Sequence, residues 1–463
     1  MVIDHDIETG DLNTRIQALW NVSAHKIRAI EREYDAGQGA PVFTVAGRYT
    51  ARGWTDWTEG FQHGSALLQF DATGERDFLE QGRENTRDKM DVHAGHFGVH
   101  DHGFNTVSTY GQLLRFMKEG RIQSNPWEEA FYALAIKLSG TVQARRWTAL
   151  PKGGYIYSFN GPHSLFVDTI RSCRVLILSH CLGYSLRHED DVQINLAGRA
   201  IQHSLATAHY SVYYGQDRDG YDVAGRVAHE SIFNTNDGRY RCPNSQQGYS
   251  PFSTWTRGLS WAMLGFAEQL ECLGLLADAD FEPWGGRSRV EEIYETAARA
   301  TCDFYIANTP SDGIPYWDTG GPQLHRLGDY LDRPADPYND WEPVDSSAAA
   351  IAAQGLLRFG RYLQERGRKD GRRYWQAGLT VLKTLFAEPY VSTDLNHQGL
   401  ILHSIYHRPN GWDHVPENSK IPNGESSMWG DYHAREVALY VQRIIDNQPY
   451  YTFFGGLDQR SAT

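Results

Sequence analysis

The feature that most limits what this chain can fold into is a repeated alternation. An amphipathic stretch with apolar residues at helical spacing gives way to a loop rich in Gly, Trp, His and Pro, and another amphipathic stretch follows. Leu113, Phe116 and Met117 share a face after Asn105. Ala130, Ala133, Leu134 and Leu138 share another after Pro126, a good first-turn residue. The spacing predicts further helices over 11–34, 60–73, 76–91, 165–186, 189–210, 255–275, 289–307, 345–366, 370–387 and 434–446. Asp345 stands as N-cap before SSAAAIAA, with Ala348, Ile351, Ala352 and Leu356 on the buried side.

About twelve helices, few strand signals beyond short pieces around 209–243, and no Ser/Gly- or Pro-rich linker point to an all-α architecture. Six helical hairpins closed into a ring, an (α/α)6 barrel occupying residues 1–463 as a single domain, is the expected arrangement. No strict repeat at fixed period supports a regular solenoid. In a toroid the loops at one rim line a central cleft, so the Trp- and His-rich connections become the candidate functional face.

Composition narrows the function. The chain has 13 Trp and 26 Tyr, many in Gly-containing loops, and such rings suit a ligand of mixed polarity. The formal net charge of −13, without a compact Lys/Arg run, argues against nucleic acid as a partner. No segment approaches the ~20 apolar residues of a membrane span. The N-terminal MVIDHDIETGDL lacks the basic region and apolar stretch of a signal peptide, so a cytoplasmic location is expected, or a periplasmic one if a leader was removed. Five scattered cysteines, with no C-x-x-C, read as reduced thiols.

Three stretches could carry chemistry. HAGHFGVHDHGF holds His93, His96, His100, Asp101 and His102. Its spacing fits no standard zinc motif, so no metal is expected. The histidines either cap helix ends around a turn or flank Asp101 as an active-site carboxylate. In FVDTIRSCRVLILSHCLG, Asp168 lies near the start of an apolar helix. It is either a carboxylate stabilised by the helix dipole or a partly desolvated acid able to donate a proton near neutrality. Asp101 and Asp168 together would form the paired carboxylates typical of glycosidases. In QQGYSPFSTWTRGLSWAMLGF, Gln247, Trp255, Arg257 and Trp261 combine a stacking platform with donors suited to a carboxylate, or else build an aromatic helix start. IPYWDTGGP and SSMWGDYHAREVAL look like loop-to-helix junctions. There is no nucleophile elbow, Walker loop or dinucleotide fingerprint, and nothing requires a cofactor.

At these residues the chain resembles the unsaturated glucuronyl hydrolases, glycoside hydrolase family 88, with the unsaturated rhamnogalacturonyl hydrolases as neighbours. The matching stretches are WTEGF (57–61), HDHGF (100–104), VDTIRS (167–172), QGYSPFSTWTRGLSW (247–261), IPYWD (314–318), DSSAAAIAAQGLL (345–357) and MWGDYH (428–433). They come in the family's order across roughly 400 residues. The resemblance implies a barrel that cleaves an unsaturated acidic oligosaccharide by hydrating the C4=C5 bond of its terminal uronate, with Asp101 and Asp168 as the two essential carboxylates. It also implies Trp57, Trp255 and Trp261 as stacking walls, and His100, His229, Gln247 and Arg257 as polar contacts to the sugar. Leu259 stands where the family usually has Gln, which bears on the leaving sugar, as do the unmatched stretches 141–164 and 325–343. Two other readings remain: the rhamnogalacturonyl activity, and a non-hydrolytic toroid, either a sugar-binding module that would not need Asp168 or an epimerase that would need a His acid/base pair such as His100 and His229.

Overall fold

A computed structural model describes residues 1–52 and 57–457. The helices are α1 (Asn13–Glu33), α2 (Glu59–Thr73), α3 (Arg76–Lys89), α4 (Asp91–Ala94), α5 (His102–Thr106), α6 (Gln112–Lys118), α7 (Pro126–Arg145), α8 (Thr169–Ser172), α9 (Arg174–Cys181), α10 (Leu196–Tyr210), α11 (Thr256–Cys272), α12 (Arg287–Ala307), α13 (Ser346–Glu365), α14 (Gly371–Leu385) and α15 (Met428–Ile445). A buried π-helical stretch, Val107–Gly111, joins α5 to α6. None of the described helices is long and apolar enough to cross a membrane.

These elements form two concentric layers. The inner one runs α2, α5–α6, α8–α9, α11, α13, α15 and returns to α2, each member touching the next. The outer layer is α1, α3, α7, α10, α12 and α14. The inner helices are buried on nearly every side, as a helix apolar all round must be, whereas the outer ones bury one stripe. This is the expected six-hairpin ring. Small residues set its spacing: a Cβ on Gly355 of α13 would lie 2.9 Å from Leu264 N of α11, so those inner helices meet almost backbone to backbone. Asp345 caps α13 as its position predicts, accepting from Ser347 N at 3.0 Å.

The ring closes between residues 42–49 and 398–431. Thr44 N donates to Ser426 O at 2.9 Å and Met428 N to Val42 O at 3.0 Å. Asp431 accepts from Tyr49 Oη, Leu400 N and Ile401 N, which gives MWGDYH the junction role read from its sequence. Deep in the ring Arg171 pairs with Glu268 (3.1 Å) and Glu436, and Arg358 with Glu271 (2.6 Å), all buried. Ions in that setting persist only when paired.

Two predicted helices are replaced at the rim. Residues 164–166 are a strand, and the helix expected over 165–186 starts at Thr169 and breaks into α8 and α9. The helix expected over 189–210 begins at Leu196. The rim strands are β1 (Phe43–Val45), β2 (Arg48–Thr50), β3 (Trp147–Ala149), β4 (Gly154–Ile156), β5 (Ser164–Phe166), β6 (Leu186–Arg187), β7 (Gln193–Ile194), β8 (Glu230–Phe233) and β9 (Tyr240–Asn244). The antiparallel sheet β5–β8–β9 matters most for the site. The apolar face of Ala130, Leu134 and Leu138 on α7 points to solvent. The helix instead turns its small residues inward, because Gly140 packs so tightly that a Cβ would lie 2.2 Å from Ser179 Oγ.

Candidate active site

A cavity of about 130 Å³ opens at the rim, lined by residues from both halves of the ring, among them Trp57, His100, Asp101, Asp168, Gln247, Trp255, Arg257, Trp261, Tyr406 and His407. Asp101 immediately precedes α5, and Asp168 sits between β5 and α8; neither side chain caps its helix. The two helix starts are locked together. Gly103 N donates to Ser172 Oγ at 2.8 Å, and that hydroxyl donates to His100 O at 2.7 Å. A Cβ on Gly103 would lie 2.2 Å from Ser172 O, so only glycine admits this approach.

The sheet brings in the next groups. Phe166 of β5 pairs with Glu230 of β8, and Val167 N donates to His229 O at 3.0 Å, which sets Asp168 beside His229. After β9 the chain turns back, and the backbone N–H groups of Gln246 and Gln247 donate to His229 Nδ1 at 3.0 and 3.3 Å. That nitrogen is therefore the acceptor and the proton sits on Nε2, 3.9 Å from Asp168 Oδ1. His100 Nε2 lies 3.8 Å from Asp101 and 4.0 Å from Asp168. Burial keeps both imidazoles neutral: His229 falls to about 3, and His100 well below its ordinary value.

The same burial acts oppositely on the acids. Asp168 is raised to about 7 by desolvation, with nearby Glu230 adding to the rise and Arg257 opposing it. Asp101 is raised to about 8, first by desolvation and then by the charge of Asp168, against the pull of Arg146. Asp168 Oδ1 and both ring nitrogens of His100 have no hydrogen-bond partner among the described residues. Unpaired buried polar atoms are costly, and two carboxyls raised by burial to about 8 and about 7 retain protons near neutrality.

Aromatic rings form the walls. Trp57 stacks on Trp429 with centroids 5.1 Å apart, and Trp261 packs on Phe104 at 5.1 Å. Trp255 lies against the His229 ring at 4.6 Å. Trp255 and Trp261 are almost wholly covered, while Trp57 is half-buried.

Three expectations need correction. Arg257 lines the cavity, but its terminal nitrogens are committed to Asp345 (3.3 Å), Ile405 O, Gln247 Oε1 (2.7 Å) and Tyr406 O (2.8 Å). Held between Trp255 and Trp429, it positions Gln247 and the 405–406 backbone and has no free fork for a sugar carboxylate. His229 lies behind the lining, facing Asp168. Leu259 is buried in the apolar core and does not reach the cavity. The histidine-rich stretch splays apart: His93 bonds Glu59 at 2.6 Å and His102 bonds His96 O at 2.7 Å. Among the described residues no cluster of three or more groups could hold a metal.

Sequence reasoning missed Arg52, Phe159, Tyr406, His407 and Trp412. Trp412 packs on His407 at 4.8 Å and on Tyr406 at 5.3 Å. His407 Nδ1 accepts from Asn410 N, so its Nε2 carries the proton. The available signal was compositional, the aromatic and His content of HRPNGWDH, and it has no periodicity to interpret.

No protein-family model matches the chain. It is 25% identical over 392 residues to the unsaturated glucuronyl hydrolase of Formosa agariphila, covering 84% of this chain and 81% of that protein. It is 26% identical over 417 residues to the unsaturated glucuronyl hydrolase of Bacillus sp. strain GL1, covering 87% and 90%. The crystal structure of the Bacillus enzyme, described as responsible for the degradation of glycosaminoglycan, superposes with a TM-score of 0.67 at 22% identity over 92% of this chain and 96% of that one.

Proposed function

We propose that this chain, a relative of the unsaturated glucuronyl hydrolases, is a glycoside hydrolase that removes a terminal 4,5-unsaturated uronic acid from lyase-generated oligosaccharides. The observation that carries the reading is the buried carboxyl pair: Asp101 and Asp168, raised to about 8 and about 7, share an aromatic-walled cavity with neutral histidines. Such a pair can deliver a proton near neutral pH, which an ordinary aspartate near 3.8 cannot.

Asp168 gives its proton to C4 of the uronate, and positive charge develops at C5, shared with the ring oxygen. The resulting carboxylate takes a proton from the water that adds at C5, restoring the acid. The hemiketal so formed opens and releases the shortened sugar, with no covalent enzyme intermediate. Asp101, on the helix start that the Gly103–Ser172 contact locks beside Asp168, is itself raised by burial and by the charge of Asp168, and so stays protonated as Asp168 gives up its proton. His229, its Nδ1 engaged by backbone, offers Nε2–H to the carboxylate that appears on Asp168.

The test is the ultraviolet absorbance of the conjugated uronate when enzyme is added to lyase-generated disaccharides. A steady loss that disappears in Asp168→Asn is expected. No loss on glycosaminoglycan, pectic, gellan or ulvan fragments would overturn the proposal.

A further inference from the structure

Two arginines line the cavity, and their electrostatic situations differ. Arg257 is buried, paired with Asp345 and saturated by carbonyl oxygens. Arg52 follows β2 at the closure of the ring and is half-exposed. Among the described residues it donates only from Nη1, to Thr50 Oγ1 at 2.9 Å and Ala51 O at 3.0 Å, and has no carboxylate partner. Those two bonds anchor one edge of the guanidinium and leave Nη2 and Nε without a partner among the described residues. A planar fork held on one side and bare on the other matches the geometry that recognises carboxylate or sulfate oxygens.

The charges around the cavity favour an anion there. The cations that act on the aspartates are Arg146 on Asp101 and Arg257 on Asp168. Arg52 acts on Tyr406, which also feels Arg257 and Asp101, so its guanidinium belongs to the same cavity as the acid pair. With the acids raised to about 8 and about 7, the pair keeps its protons near neutrality and does not repel an anionic sugar, while the guanidinium attracts it.

We infer that Arg52 is a specificity-determining contact that binds an anionic oxygen group, carboxylate or sulfate, of the bound oligosaccharide. The inference rests on the reading of the cavity as the site for an acidic oligosaccharide. The group is either the carboxylate of the terminal uronate or an anionic substituent on the leaving sugar, and both meet the same fork.

Arg52→Gln and Arg52→Lys are compared with the unaltered protein in two assays. Turnover is followed on two unsaturated disaccharides, one with a neutral leaving sugar and one with a sulfated one. Calorimetric binding is measured for the corresponding saturated disaccharides, which cannot react. Arg52→Gln is expected to raise KM about tenfold or more with kcat within about twofold, to flatten the ionic-strength dependence of kcat/KM, and to weaken saturated-disaccharide binding in proportion. Arg52→Lys recovers part of the loss. A penalty on both substrates assigns the contact to the uronate carboxylate; a penalty confined to the sulfated substrate assigns it to the leaving sugar. Unchanged KM and unchanged binding in Arg52→Gln would overturn the inference. If the unaltered protein shows no turnover but Arg52→Gln still loses calorimetric binding, the hydrolase reading falls and the anion contact stands.

Discussion

Replacing Asp168 with Asn should make the protein more stable, by an amount that depends on pH. In the unfolded chain an aspartate ionises near 3.8, whereas in the cavity the same group ionises at about 7. The folded state therefore binds more protons than the unfolded one throughout that interval, and stability falls as pH rises through it. The deficit from Asp168 is small below pH 4, grows between about pH 4 and 7, and levels off above that. At 1.36 kcal/mol per pH unit the plateau is on the order of 4 kcal/mol, of which less than half is already present at pH 5. Asn is neutral at every pH and nearly isosteric with the protonated acid. The gain of Asp168→Asn over the unaltered protein should thus increase by about 3 kcal/mol between pH 5 and pH 8. Removing the charge that raises Asp101 adds to the gain in the same direction. Urea unfolding at the two pH values, followed by Trp fluorescence, measures the difference directly. A stability difference that stays constant from pH 5 to pH 8 would refute the raised acidity of Asp168 and, with it, the proton-donor argument.

Four other outcomes are expected. The rate should be highest on the acid side of neutrality and fall as pH passes about 7, because the protonated form is the reactive one. Asp101→Asn should leave that falling limb near pH 7, because the acidity of Asp168 is set by desolvation with Glu230 and Arg257 rather than by Asp101, and a pH profile of kcat/KM will register it. Gly103→Ala places a Cβ 2.2 Å from Ser172 O, forcing apart the two helix starts that carry the aspartates. A loss of about 1–3 kcal/mol in stability and at least tenfold in kcat is expected from unfolding and turnover measurements. Trp412→Ala, which removes a ring 37% exposed beside His407, should raise KM several-fold while leaving thermal unfolding nearly unchanged.

The ring was readable in the sequence because its helices must hide apolar faces at a fixed period, and that pressure writes itself into residue spacing. Asp101 and Asp168 were readable because each stands in a short run that combines an acid with the residues that lock its helix, HDHGF and VDTIRS. The failures share a cause. Apolar residues from 165 onward fit a helix as well as a buried strand, and only pairing of Phe166 with Glu230 decides between them. Arg257 looked like a free fork because Asp345 and the 405–406 carbonyls that consume it are distant in the chain. Tyr406, His407 and Trp412 lie in irregular backbone, where orientation follows from the loop's own hydrogen bonds, such as those of Asp413 to the Tyr406 and His407 amides.

The seam that closes the ring also governs when a growing chain can become active. Both aspartates leave the ribosome in the first half of synthesis, yet Tyr406, His407 and Trp412, together with Trp429 and the Asp431 clamp on Tyr49, emerge among the last residues. A chain that lacks them has the cavity open on that side, so its two carboxyls are more exposed to water and their acidity shifts back toward that of free aspartate. A protein split between Asp168 and Trp429 should therefore regain the raised acidity only when its halves reassemble.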